Sequence, residues 1–274
     1  MFKVLLKTKF KIIANLNLGN ISQINKTVIN KKNIENIDLL YQNQKVKLKE
    51  IFSIEISKNN KTKNEIMIKG SNEYFNYLGY SWEKNILTTD SNVGCFAGAK
   101  MKSGEIVLNG SAADFLASEM EGGLIEVKSN VGDYLASSLE GSKVGMRGGQ
   151  VIINGNVGKF SCFLMRRGLI IIKGNVDEMC CFQMIAGTVI IFKNVKKNLG
   201  ISMKRGTIIL MNSTVQLEKK FVKSGSINFN FLDLLKNYLT KNLLLNDLKK
   251  QKFVRYFGDK NVDGLGEVFV KEKL

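Results

Sequence analysis

The chain is 274 residues long, with 44% hydrophobic and 24% charged residues, enough to bury a sizeable core and ordinary for a globular protein. It contains no histidine, which removes the commonest general base, every Ser-His or Cys-His nucleophile pair and a conventional zinc site. No apolar run reaches the roughly 18–20 residues needed to span a bilayer, and 41 basic against 24 acidic residues give a net charge of +17.

The first residues, Met1-Phe2-Lys3-Val4-Leu5-Leu6-Lys7, form an apolar run too short and too broken by lysine for a signal peptide, so a cytoplasmic location is expected. The stretches 2–6 and 46–48 read as strands, and the Asn- and Lys-rich stretch 25–37 as loop and short helix. Residues 1–64 show no repeat and are expected to cap the element that follows.

Beyond them a period governs the chain. Glycines stand at Gly104, Gly123, Gly149, Gly168, Gly187, Gly206 and Gly225, with successive gaps of 19, 26, 19, 19, 19 and 19. Two and four residues after each lie Ile106/Leu108, Ile125/Val127, Val151/Ile153, Ile170/Ile172, Val189/Ile191, Ile208/Leu210 and Ile227/Phe229. All are apolar and most are β-branched, which predicts a short strand with period-2 inward positions in each of seven repeats. Turns rich in Asn and Gly follow, as at Asn109-Gly110-Ser111 and Asn154-Gly155-Asn156.

A second inward set keeps the same register: Val93, Ala112, Val131, Val157, Val176 and Val195. Phe96, Phe115, Tyr134, Phe160 and Met179 come three residues later, and six of the ten methionines (Met101, Met120, Met146, Met165, Met184, Met203) sit three residues before the closing glycine. Two strand-turn segments in each repeat cannot bury an apolar side alone, but stacked copies can. The expected fold is therefore mainly β: a single-stranded β-solenoid (β-helix, about 19 residues per coil) over residues 65–230, with a mixed N-terminal cap at 1–64. A C-terminal helical cap is expected within 231–274, where Leu232, Leu235, Leu239 and Leu245 share one face of an amphipathic segment running to Leu248.

Three details bear on function. The methionine ladder reads as core packing rather than a soft-metal site. Cys162 and Cys181, at equivalent repeat positions, read as small core hydrophobes. The strand position between the two inward ones (Val107, Glu126, Ile152, Ile171, Ile190, Ile209, Asn228) should point outward, yet five of the seven are apolar. Such a stripe is covered either by the chain's own tail or by another protein, and it is the strongest sequence hint of a subunit interface. On that reading Met165→Asp should unfold a coil, whereas Ile171→Asp should only loosen assembly. The positive charge is either compositional, since only five of the 41 basic residues are arginine, or the complement of an acidic partner. No nucleic-acid motif accompanies it, and neither nucleic acid nor membrane is expected to bind.

With the repeats laid out, the chain resembles the β-helical C-type subunit of formylmethanofuran dehydrogenase and of the related bacterial formyltransferase/hydrolase complex. These are similar in turn to the C-terminal domain of the glutamate synthase large subunit. The carriers of the resemblance are Gly155-Asn156-Val157-Gly158, Met165-Arg166-Arg167-Gly168-Leu169-Ile170, Met184-Ile185-Ala186-Gly187-Thr188-Val189 and Gly145-Met146-Arg147-Gly148-Gly149, together with Tyr41 to Leu48 and the ending Arg255-Tyr256-Phe257-Gly258-Asp259…Gly264-Leu265-Gly266-Glu267-Val268. The phrases Met184-Ile185-Ala186-Gly187-Thr188 and Met203-Lys204-Arg205-Gly206-Thr207 look closer to the bacterial hydrolase type.

The resemblance implies a scaffold subunit in a hetero-oligomer. That complex moves a formyl group from formyl-tetrahydromethanopterin via a methanofuran-type carrier to formate. Implied partners are a molybdenum/tungsten-enzyme-like subunit, an amidohydrolase subunit and a formyltransferase subunit, which hold the carrier and the metal. No catalytic, cofactor-binding or metal residue, and no cofactor, is expected on this chain. One alternative is the corresponding subunit of a molybdenum/tungsten formylmethanofuran dehydrogenase. A more distant one is a free-standing β-helix enzyme acting on an acidic polymer through Asp114, Asp133 and Asp177 or through lysines.

Overall fold

The computed structural model describes residues 1–60, 62–227 and 252–272. The described residues are mainly β: a 13-stranded sheet and a 4-stranded sheet, with short helical segments only at Gly19–Asn25, Lys31–Glu35 and Leu48–Ile51. The expected strands at the N-terminus are Phe2–Thr8 and Gln44–Lys47, the second giving way to the short helix at Leu48.

The period is expressed as parallel pairing. Strands Glu65–Lys69, Ile86–Thr89, Glu105–Leu108, Leu124–Val127, Arg147–Ile153, Arg167–Ile172, Thr188–Ile191 and Thr207–Leu210 follow one another in sequence and in space. Their register places Ile106, Ile125, Val151, Ile170, Val189 and Ile208 in one row across the sheet. A second row links Val93, Ala112, Val131, Val157, Val176 and Val195 by isolated parallel bridges. Each repeat therefore touches its neighbours along two lines, and both rows belong to one continuous apolar core. The turns between them are fastened by asparagine. Oδ1 of Asn92, Asn130, Asn156 and Asn175 accepts from the N–H of Ser111, Asn156, Asn175 and Asn194, the turn residues one repeat on, at 2.8–3.2 Å. These side chains satisfy amides that the sharp corner leaves without a ladder partner.

The rows begin earlier than the glycine spacing suggests. Trp82, fully buried, lies one repeat length before Met101 and fills the methionine position of the preceding repeat. The carbonyl of Trp82 accepts from Lys102 N–H as that of Met101 accepts from Glu121 N–H. Ahead of the repeats, Phe2–Thr8 pairs parallel with Glu65–Lys69 and antiparallel with Phe52–Lys58, which ends the sheet on that side.

The other end departs from expectation. Gly225 and Ile227 do not open a seventh parallel repeat. The strand beside Thr207–Leu210 is Gly266–Lys271, with Val268 opposite Ile208 and Phe269 opposite Ile209. Phe253–Gly258 pairs antiparallel with that strand, and Val222–Ile227 lies antiparallel beyond it, with a bulge between Lys223 and Gly225. An unpaired last strand would expose a row of free N–H and C=O groups, and the chain's own terminal hairpin takes that place. Periodicity alone could not show that a segment much further along the chain would outcompete Val222–Ile227 for it. The amphipathic segment 231–248, with Asn228 and Phe229, lies outside the described residues.

For the stripe, the structure favours cover by the chain's own tail over cover by a partner. Ile170 and Ile172 face the main core as expected, but Ile171, Ile190 and Ile209 on the opposite face are at most 1% exposed and Ile152 is 8% exposed. They form a separate cluster with Leu169, Met211, Phe253 and Phe269. Buried within this chain, the stripe is not a free subunit interface. At about 1.5–3 kcal/mol for each fully buried large aliphatic side chain, its burial contributes to folding instead.

Candidate functional site

The return path from the second row to the first is built from an unusual backbone. Phe96, Gly98 and Lys100 have φ of +62°, +63° and +54°, and the same alternation recurs at Phe115, Ala117 and Glu119, at Phe160, Cys162 and Leu164, and at Met179, Cys181 and Gln183. Alternate left-handed residues turn successive N–H groups in opposite directions. Phe96 N–H donates forward to Asp114 C=O, Gly98 N–H donates back to Leu78 C=O, and Lys100 N–H donates forward to Ser118 C=O, at 2.8–2.9 Å. A non-glycine residue in this conformation costs about 1–2 kcal/mol. Each inter-repeat hydrogen bond offsets roughly 1 kcal/mol of it. Glycine at alternate positions would adopt this path without steric cost.

The first left-handed position carries a ring in five repeats. Tyr77, Phe96, Phe115, Tyr134 and Phe160 stack with centroids 4.7, 4.9, 4.8 and 5.3 Å apart and planes within 12° of parallel. All five are half-buried, so the ladder seals one side of the repeats rather than filling the core. The spacing of Phe96 to Phe160 was legible in the sequence. Tyr77 was missed, although it stands one repeat length before Phe96.

The three carboxylates considered for catalysis do not converge on a reactive centre. Asp114 Oδ1 accepts from Asp133 N–H at 2.8 Å, and Asp133 Oδ1 accepts from Lys159 N–H at 2.7 Å. Asp177 Oδ1 accepts from Glu178 N–H, and its Oδ2 pairs with Lys196 Nζ at 2.8 Å. The hydrogen bond from Lys196 holds the Asp177 carboxyl below the usual carboxylate range and raises the lysine in turn. All three thus serve the turn backbone, as the asparagines beside them do.

Cys162 and Cys181 are joined by Cys180, which the repeat pattern does not single out. The three Sγ atoms lie within 4.8 Å of one another, all fully buried, with Cys180 and Cys181 3.7 Å apart. The four cysteines are free thiols. Hydrogen bonding within the trio, reinforced by burial, pushes Cys162 and Cys181 well above the ordinary thiol range. The hydrogen bond from Cys162 makes Cys180 the first of the three to ionise. Among the described residues this is the one group with metal-ligating spacing. Three thiolates around a mono- or divalent ion would carry net negative charge, and no lysine or arginine is fully buried among the described residues to compensate it. The trio fits packed thiols better than a metal centre.

The terminal motif also has a structural task. The Arg255 guanidinium pairs with Glu267 across the hairpin and lies 4.0 Å from the centroid of the Phe257 ring. Asp259, 1% exposed, accepts from Ser202 N–H at 3.0 Å, fastening the last left-handed path to the hairpin.

A family model described as the GXGXG motif matches residues 44–251, which spans the whole repeat array. The chain belongs to the GXGXG motif family. The left-handed backbone at every second residue is where alternating glycines would be most at ease, and this GXGXG chain supports the same path largely with other residues. Among solved structures it is similar to a chain in the X-ray crystal structure of the formyltransferase/hydrolase complex (FhcABCD) from Methylorubrum extorquens in complex with methylofuran. The TM-score is 0.86 at 23% identity, over 98% of this chain and 100% of that chain. No curated protein matches it by sequence. Among the described residues no helix is long and apolar enough to cross a membrane.

Proposed function

We propose that this GXGXG chain is a scaffold subunit of a formyltransferase/hydrolase complex, its parallel repeats from Glu65 to Leu210 wound as a β-helix. The segment 1–64 caps one end, and the hairpin of Phe253–Gly258 and Gly266–Lys271 closes the other. The observation that carries the reading is the full-length likeness to a chain of such a complex. It is supported by the chemistry: there is no histidine, and each candidate carboxylate is engaged by turn backbone. In this reading the formyl group passes from formyl-tetrahydromethanopterin through a methanofuran-type carrier to formate on partner subunits. These are a molybdenum/tungsten-enzyme-like subunit, an amidohydrolase and a formyltransferase, and they hold the carrier and the metal. The chain contributes surfaces that fix the spacing of the partners' active sites.

The test is co-expression of the complex with and without this chain, followed by size-exclusion chromatography and measurement of formate release. The expected result is a hetero-oligomer containing this chain, and loss of assembly with loss of formate release when it is omitted. A complex that assembles and turns over at full rate without the chain would refute the role. Formyl oxidation coupled to an electron acceptor, in place of hydrolysis, would assign the complex to the molybdenum/tungsten dehydrogenase type.

A further inference from the structure

The composition is lysine-dominated, yet four of the five arginines lie at one corner of the repeats, where the sheet strand begins. Arg147, Arg166, Arg167 and Arg205 are exposed, as is Lys204. In the strand register Arg147 lies directly opposite Arg167. Like charges facing each other across a sheet destabilise it, and among the described residues none of these five cations forms an ion pair. At this corner the intervening repeat carries no charge: Ile185 and Ala186 occupy the positions held by Arg166 and Arg167 before and by Lys204 and Arg205 after. Around that step an open cleft of about 610 Å³ is bounded by the two cationic pairs, Gly187 and the exposed Asp263.

We propose that this corner is a binding strip for an extended acidic segment of a partner protein, with one carboxylate seated over Ala186 between Arg167 and Arg205. The dimensions favour a chain over a single anion. From Arg147 to Arg205 there are three inter-repeat steps of about 4.8 Å, roughly 14 Å in all, or the span of four to five extended residues. The small side chain at Ala186 lets a ligand backbone approach between the flanking guanidiniums, which are about two strand spacings, or roughly 9.6 Å, apart. The use of arginine fits a planar, bidentate match to carboxylates that lysine does not offer. The inference deepens the subunit reading, since it names the chemistry of one partner contact.

The test uses the full chain and a fluorescent peptide of alternating glutamate and serine, followed by anisotropy at about 0.15 M salt, where long-range attraction is screened. Three proteins are compared: the wild type, Arg167→Glu/Arg205→Glu, and Lys32→Glu/Lys49→Glu. The last pair lies outside the repeats and changes the net charge equally. All four substituted positions are exposed, and unfolding midpoints measured alongside verify that the variants are folded. The expected result is binding by the wild type, at least a roughly tenfold loss in the arginine variant and no comparable loss in the lysine variant. Equal weakening of both variants would reduce the effect to the field of a +17 chain and overturn the strip. Absence of wild-type binding, or glutarate binding as tightly as the peptide, would overturn it as well. Assembly of the co-expressed complex is scored separately. A complex that retains the arginine variant defeats the strip and leaves the subunit role standing, whereas a wild-type chain that joins no complex defeats the subunit role instead.

Discussion

The terminal methyl of Met165 lies 2.8 Å from where a Cβ on Gly187 would stand. The same relationship links Met101 to Gly123, Met120 to Gly149, Met146 to Gly168 and Met184 to Gly206, at 2.6–2.9 Å. Each of these five methionines therefore packs onto the glycine of the following repeat, so the two most regular features of the sequence are two halves of one contact. Both must recur at the same interval because each repeat supplies one half upward and the other downward.

Gly187→Ala meets two penalties, a φ of +108° and the Met165 methyl. Gly225, with a φ of +118° and no described heavy atom within 4 Å, meets only the first. Urea unfolding should show Gly225→Ala costing about 1 kcal/mol and Gly187→Ala about 2–3 kcal/mol. Equal costs would mean that the methionine yields freely.

Burial on both faces of the sheet changes the expectation for charge insertion. Met165 and Ile171 are both 0% exposed, so Met165→Asp and Ile171→Asp should each destabilise the chain by about 4 kcal/mol or more. Circular dichroism melts of the isolated chain decide this. A folded, soluble Ile171→Asp would restore the stripe as an accessible surface.

The Asp177 carboxyl has its pKa lowered by Lys196. A group depressed on folding stabilises above its unfolded value, about 3.9, and loses that contribution as pH falls through the lower folded value. Asp177→Asn should therefore be slightly less stable than wild type at about pH 7 and approach it below about pH 3. Urea midpoints across that range give the comparison. The effect is small because Lys196 is solvent-exposed.

Thiol accessibility distinguishes packed from reactive cysteine. Cys95 is partly exposed, while Cys162, Cys180 and Cys181 are buried. A chromogenic disulfide reagent should therefore titrate one thiol in the native chain and all four in denaturant. Rapid native reaction at Cys180 would show that the trio is open to solvent.

The carboxylates show where sequence reading stops short. Asp114 and Asp133 were correctly placed at one repeat position, but spacing could not reveal that each would turn to a backbone amide of the next repeat. Ile171 and Ile190 were correctly set on the face opposite the core, yet alternation reports which face a residue takes and not what covers it. Cys180 does not stand out from the period because the equivalent positions hold Leu116, Leu135, Ser161 and Leu199, while Tyr77 and Trp82 were legible at the same interval once glycine was no longer required as its marker.

By itself the sequence determined the parallel register, the two inward rows, the methionine and aromatic ladders and the absence of histidine. These follow from side-chain periodicity and residue type, which are local properties repeated at a fixed interval. Only the tertiary structure decided that Gly266–Lys271 closes the sheet and that the isoleucine stripe is buried. Those outcomes depend on competition between distant segments for the same edge or face, and a period carries no record of which segment wins.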